Sequence, residues 1–267
     1  MKSTHISFTV ILALLTAMPV LNMPRASAST AIQETISQSD QHDRQLQSDL
    51  TRELNKNRFK NVQVSVNNGV VNLTGTVSLF ADKEEADKKA HHAKNTTAVR
   101  NEIRVAGSRI SDQDLQGKLT QKLAYDRVGY GTTTFNAISV DVSDGVVKLG
   151  GHAYSPTDRL SALAAVYYTP GVQDVVDEIE VDPVSPMDDR VRLNVARAVY
   201  GYPSLNRYAI DPARPIRISV QNGNVTLFGV VDNAADRDIA NIRANGVPGV
   251  FKVTNELRVE GDSLERN

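Results

Sequence analysis

One eight-residue pattern recurs in phase along this chain and constrains its fold more than any other feature: NGVVNLTG at 68–75, DGVVKLGG at 144–151 and NGNVTLFG at 222–229. The copies stand 76 and 78 residues apart. A second set, NEIRV (101–105), DEIEV (177–181) and NELRV (255–259), repeats at the same two offsets, so nothing is inserted between the two landmarks. A period this long exceeds that of a solenoid repeat and suits a small domain, which predicts three tandem copies of one domain rather than a superhelix.

Within each copy the apolar period changes in one order. Leu46/Leu50/Leu54, Leu115/Leu119/Leu123 and Val191/Val195/Val199 stand four apart, the spacing of one helix face. Ser111 and Asp114 make a capping pair at the start of the second of these helices. Val62/Val64/Val66, Ile138/Val140/Val142 and Ile216/Ile218/Val220 then alternate as a strand with one buried face does. Asn68-Gly69, Asp144-Gly145 and Asn222-Gly223 follow, dipeptides that suit type I′ hairpin turns because both central residues need positive φ. A return strand leads to a second helix near Asp82, Asp158 and Asp236, acids placed where a helix dipole favours them, and a closing strand ends each copy. Ala86, Ala162 and Ala240 mark a close approach of that helix to the sheet.

The order helix, strand, strand, helix, strand predicts the α+β class: three tandem two-layer domains, each with two helices on a three-stranded sheet, at 43–107, 111–182 and 187–261. A unit of about 65 residues buries only ~60% of its unfolded surface, so each is expected to gain stability from its neighbours.

The N-terminus reads as a targeting segment. Lys2, the apolar run Ile6–Leu21 and Ala26-Ser27-Ala28 predict a cleavable signal peptide at 1–28, a mature chain starting at Ser29 and a flexible Ser/Gln-rich leader at 29–42. The chain has no Cys, which excludes disulfides, thiolate metal sites, a cysteine nucleophile and a lipid-modified N-terminal cysteine. An exported chain of this kind fits the bacterial periplasm. With 30 Lys+Arg against 31 Asp+Glu it has no positive excess to hold nucleic acid.

Enzyme chemistry finds little support. Gly75, Gly151 and Gly229 serve a bulge or close packing in the return strand, since no helix follows them to hold phosphate. Of His42, His91, His92 and His152 only the middle two are neighbours, and consecutive helix positions diverge by about 100°. No nucleophile or base recurs at a pocket-like position, and capping explains Asp82, Asp158 and Asp236. The expectation is no catalytic residue, no metal and no cofactor.

The hairpin motif [ND]-G-x-V-x-L-x-G, Gly171-Val172 and Gly249-Val250 before the last strand, and the [ND]-E-[IL]-x-V ending together resemble the BON domain over residues 43–261. Asn95 stands where the family has glycine in the first copy. The resemblance implies a non-catalytic binding role at the bacterial envelope, often to anionic phospholipid, as in osmotically induced periplasmic proteins. It supplies no site residue, so the candidates come from charge.

The copies carry 11 basic and 8 acidic residues (43–107), 6 and 11 (108–183) and 11 and 10 (184–267). The stretch between first helix and first strand gathers Lys56, Arg58 and Lys60 around Phe59, and Arg207, Arg214 and Arg217 near Tyr200, Tyr202 and Tyr208; copy two has Asp126 and Arg127 beside Tyr125, Tyr130 and Phe135. Basic groups among aromatics suit an anionic headgroup surface, so those six cations are the expected lipid-binding residues of a peripheral protein without a span in its mature part. The alternative is a soluble periplasmic chaperone or stress protein that contacts unfolded or outer-membrane proteins.

Overall fold

A computed structural model describes residues 27–107, 110–212 and 214–261. The first domain contains α1 (Ser27–Glu53), β1 (Val62–Asn67), β2 (Val70–Val77), α2 (Phe80–His92), β3 (Ala98–Asn101) and β4 (Arg104–Val105). The second contains α3 (Asp112–Ala124), β5 (Ala137–Ser143), β6 (Val146–Ala153), α4 (Pro156–Tyr167), β7 (Asp174–Asp177) and β8 (Glu180–Val181). The third contains α5 (Pro186–Tyr200), the short α6 (Arg207–Ile210), β9 (Arg217–Gln221), β10 (Asn224–Val231), α7 (Ala234–Asn245) and β11 (Lys252–Val259). This is the α+β arrangement expected from the repeats.

In every domain the return strand is central. It pairs antiparallel with the first strand and parallel with the closing strand. The first strand is therefore always a sheet edge. The hairpin turns have φ of 49° and 74° at Asn68-Gly69, 52° and 74° at Asp144-Gly145, and 52° and 76° at Asn222-Gly223, as type I′ geometry requires. A carboxylate from the first helix holds each turn: Asp43, Asp112 and Asp188 each accept from both turn amides at 2.6–2.9 Å. These three acids stand three residues before Leu46, Leu115 and Val191, a recurrence legible in the sequence alone.

The closing strand is one piece in the third domain and two in the others. Asn101 and Asp177 turn their Oδ1 back to accept from the amides of Ile103 and Ile179 at 3.1 Å, which breaks the ladder. In the third domain the matching contact, Asn255 to the Leu257 amide, is looser at 3.3 Å and the strand runs through. The same side chains tie strand to second helix: Asn101 donates to the Lys83 carbonyl, Asn255 to that of Arg237, and Asp177 pairs with Arg159 at 2.6 Å.

One expectation changes. Residues 29–42 are the first half of α1 and not a flexible leader. The stretch has no Gly or Pro, and a helix already nucleated by the buried Leu46, Leu50 and Leu54 propagates backward at little cost. Of the expected signal peptide at 1–28, residues 1–26 lie outside the described residues. Asn95 adopts the same left-handed conformation (φ 71°) as Gly171 and Gly249, which asparagine tolerates, so the first copy keeps the family geometry without glycine.

The three domains are packed together. One apolar core runs through the first two, with α2 against α4, and Phe80 meets Tyr167 edge-to-face at 5.0 Å. The third domain has its own core, into which the second inserts Phe135.

Candidate functional site

The stretch between first helix and first strand is built on one scheme in all three copies. An arginine from it reaches the acid in the first turn of the second helix and lies over a neighbouring ring. Arg58 is 3.7 Å from Asp82 and 4.9 Å from the Phe59 centroid. Arg127 is 3.1 Å from Asp158 and 4.0 Å from Tyr130. Arg207 bonds Asp236 and lies 5.0 Å from Tyr208. The alternation of basic and aromatic residues that suggests a headgroup trap is here an internal clasp pinning each loop to its domain.

The acids respond to their surroundings. Burial raises the Asp82 carboxyl above the usual range, outweighing the nearby Arg58. Burial also acts upward on Asp158, but hydrogen bonds from Ser155, Thr132 and Asn136, with the charge of Arg127, hold it below that range. Asp158 and Asp236 sit behind N-caps, Ser155 and Asn233, that accept from their amides; Leu79 supplies no such bond before α2.

The six candidate cations do not form one surface. Arg58 also pairs with Glu85 at 2.5 Å, Arg207 with Asp232 at 2.9 Å, and Arg214 with Asp232 at 3.3 Å and Glu260 at 2.7 Å. Arg217 points into the second domain and donates to the carbonyls of Thr133 (2.6 Å) and Asn136 (2.8 Å); burial pulls its guanidinium below the ordinary value. Lys56 and Lys60 are exposed, with no acidic partner among the described residues.

Exposed apolar side chains occur singly on the third domain, Ile210, Ile242 and Phe251 among them, and in one loop of the middle domain. Tyr125 (53% exposed), Val128 (46%) and Tyr130 (72%) project from the loop between α3 and β5. Beside Tyr125 lies a shallow depression lined also by Lys118, Lys122 and Pro170. Lys122 donates to the Ala165 carbonyl and the Thr169 hydroxyl, so its charge meets no carboxylate. The signal available in sequence was the i,i+4 pair Lys118/Lys122 one step from Tyr125, obscured by the acidic total of that copy.

A polar joint fastens the second and third domains. Asp182, fully buried, accepts from Ser219 (3.0 Å), Gln221 (3.1 Å) and Arg192 (3.1 Å), while Arg192 also donates to the Val220 carbonyl at 2.8 Å. His152 lies 3.5 Å from Asp182 and 3.9 Å from Glu180, with Gln221 at 3.1 Å and the Phe228 ring beside it. The Asp182 contact raises the imidazole above its ordinary value against the effect of burial. Burial would raise Asp182, but its bonds from His152, Gln221 and Ser219 hold it low.

His152 therefore stabilises the joint fully below about pH 6.5, its unfolded value, and loses that contribution as pH rises through its higher folded value. Asp182 contributes above its unfolded value near 3.9 and loses its share as pH falls through the lower folded one. Protection of the β9 amides, relative to their unfolded exchange rates at each pH, should be greatest between those limits, and His152→Gln should flatten the alkaline limb alone. An unchanged alkaline limb would show that His152 does not hold the joint.

Among the described residues no group of three His, Asp or Glu side chains could hold a metal ion, and no helix is long and apolar enough to cross a membrane. The description "BON domain" matches residues 42–107, 111–183 and 204–261. The chain belongs to the BON domain family. The third BON match starts at Ser204, past α5. No curated protein matches the chain by sequence. Solved structures that align with it include CdsD, a structural protein of the type III secretion system of Chlamydia trachomatis, at 16% identity and TM-score 0.23 over 82% of this chain and 90% of that one. Another is the periplasmic domain of the type III secretion inner-membrane protein PrgH from S. typhimurium, at 12% identity and TM-score 0.17 over 78% and 97%. At such scores neither likeness carries an argument for this BON protein.

Proposed function

We propose that this BON protein works without catalysis in the periplasm as a peripheral envelope protein that associates with anionic phospholipid during osmotic or envelope stress. The observation that supports this reading is the exposed Tyr125 beside Lys118 and Lys122, with Val128 and Tyr130 exposed further along the same loop. Aromatic rings with one polar end rest at headgroup depth, and each nearby cation adds about 1 kcal/mol of attraction to an anionic leaflet. Of the six cations expected from sequence, Lys56 and Lys60 keep that role in this reading; Arg58, Arg207, Arg214 and Arg217 are occupied within the protein.

Flotation with phosphatidylglycerol vesicles tests it. The native chain should float with them and not with phosphatidylcholine vesicles. Tyr125→Ser with Tyr130→Ser should weaken flotation about tenfold or more, and Lys56→Glu with Lys60→Glu should weaken it most at low salt, where the screening length is long. Absence of flotation by the native chain would refute the lipid reading, and full flotation by both variants would refute its surface.

A further inference from the structure

The same fold, present three times, treats its exposed strand edge in three different ways. A two-residue hairpin turn makes the closing pair hydrogen-bonded, so alternate residues of the first strand direct N–H and C=O away from the hairpin. In β9 these are Ile216, Ile218 and Val220. There Asp182 accepts from the Val220 amide, Arg192 donates to the Val220 carbonyl, and Tyr200, its hydroxyl pushed up to about 12 by burial, donates to the Ile216 carbonyl at 2.5 Å. All three strand side chains are fully buried. In β5, among the described residues, only Gln116 bonds to an outward backbone group, the Val140 carbonyl.

In β1 the corresponding residues are Val62, Val64 and Val66, and no side chain bonds to their backbone among the described residues. Their side chains are half-buried. Between α1 and β1 lies an open groove of about 950 Å³ lined by Leu54 and Phe59 and rimmed by Arg44, Arg52 and Lys60. No carboxylate lines this groove, although Asp49 bonds Arg52, and Asp40 and Asp43 line the smaller depression that adjoins it at Arg44.

We propose that this groove binds an extended acidic segment of a partner protein, which adds to the sheet as a strand alongside β1. An unpaired edge alternates donors and acceptors, which a peptide backbone matches and a lipid headgroup does not. Side chains alternate across an added strand, so acidic residues at every second position would face Arg44, Arg52 and Lys60. A second copy of this chain is disfavoured, because β1 against β1 would bring both sets of cations together.

The test uses the full chain and a peptide of about ten residues alternating glutamate and threonine. Binding should protect the Val62, Val64 and Val66 amides from exchange. Methylating alternate backbone nitrogens of the peptide should lower affinity about tenfold or more, as should Val64→Pro, which removes one outward N–H while leaving the hairpin pairs on either side. If Val64→Pro alters the circular dichroism spectrum, the methylated peptide decides alone. Equal affinity of the methylated peptide, protection away from β1, or no binding at all would overturn the proposal. So would protection of the β1 amides by phosphatidylglycerol vesicles that displace the peptide, which would make the groove a headgroup site. The Tyr125→Ser, Tyr130→Ser variant should bind the peptide as the native chain does, so this proposal and the lipid reading fail separately.

Discussion

Replacing Arg192 by methionine is expected to destabilise the third domain by about 3–5 kcal/mol, the cost of leaving one member of a buried ion pair without the other. Only 1% of this side chain is exposed, and it makes three bonds at once, to Asp182 (3.1 Å), Asp189 (2.6 Å) and the Val220 carbonyl (2.8 Å), with its guanidinium 4.9 Å over Tyr154. Methionine fills much of the volume but abandons a buried carboxylate and a strand-edge carbonyl. Adding Asp182→Asn should recover part of the loss, because the charge disappears while Ser219 and Gln221 keep an acceptor. Amide exchange across β9 and β10 reads the effect locally. A loss below about 1 kcal/mol would mean that the joint is wetter than its geometry implies.

Gly151→Ala should cost about 3 kcal/mol or more, for a reason that no rotamer relieves. Gly151 has φ +84°, and a Cβ there would stand 2.0 Å from the carbonyl oxygen of Ala137 on the paired strand. Accommodating it means separating β5 from β6. Gly75 and Gly229 meet the carbonyls of Asn61 and Pro215 in the same way, at 2.0 and 2.6 Å. Gly117, on the exposed face of α3 with nothing within 4 Å, is the control: alanine there should stabilise by about 0.5–1 kcal/mol. Chemical denaturation of both variants provides the check, and equal midpoints would contradict the close-approach argument.

The periodicities, hairpin dipeptides and repeat offsets make the element order and fold class readable in the sequence itself, because each is a local rule. Period two or period 3.6 states which face is buried, and Asn-Gly states where the chain reverses. The Asp43, Asp112 and Asp188 caps were equally readable, since they recur at one position in each copy. Helix propagation into residues 29–42 was not, because low apolar content describes an exposed helix and a loop alike.

The destination of the charged side chains is where sequence stopped. Arg214 and Arg217 sit three residues apart, yet one pairs across its own domain with Glu260 and the other enters the carbonyls of Thr133 and Asn136 in the domain before. A long cationic chain can reach in many directions, and the partner within reach is set by how the domains dock, which no local pattern encodes. The three strand edges show the same division. Sequence determined that each copy has a first strand with one buried face. Only the tertiary structure decided that β9 is sealed by Asp182, Arg192 and Tyr200 while β1 is left open, since sealing depends on side chains from the linker and helix arriving at backbone groups far along the chain.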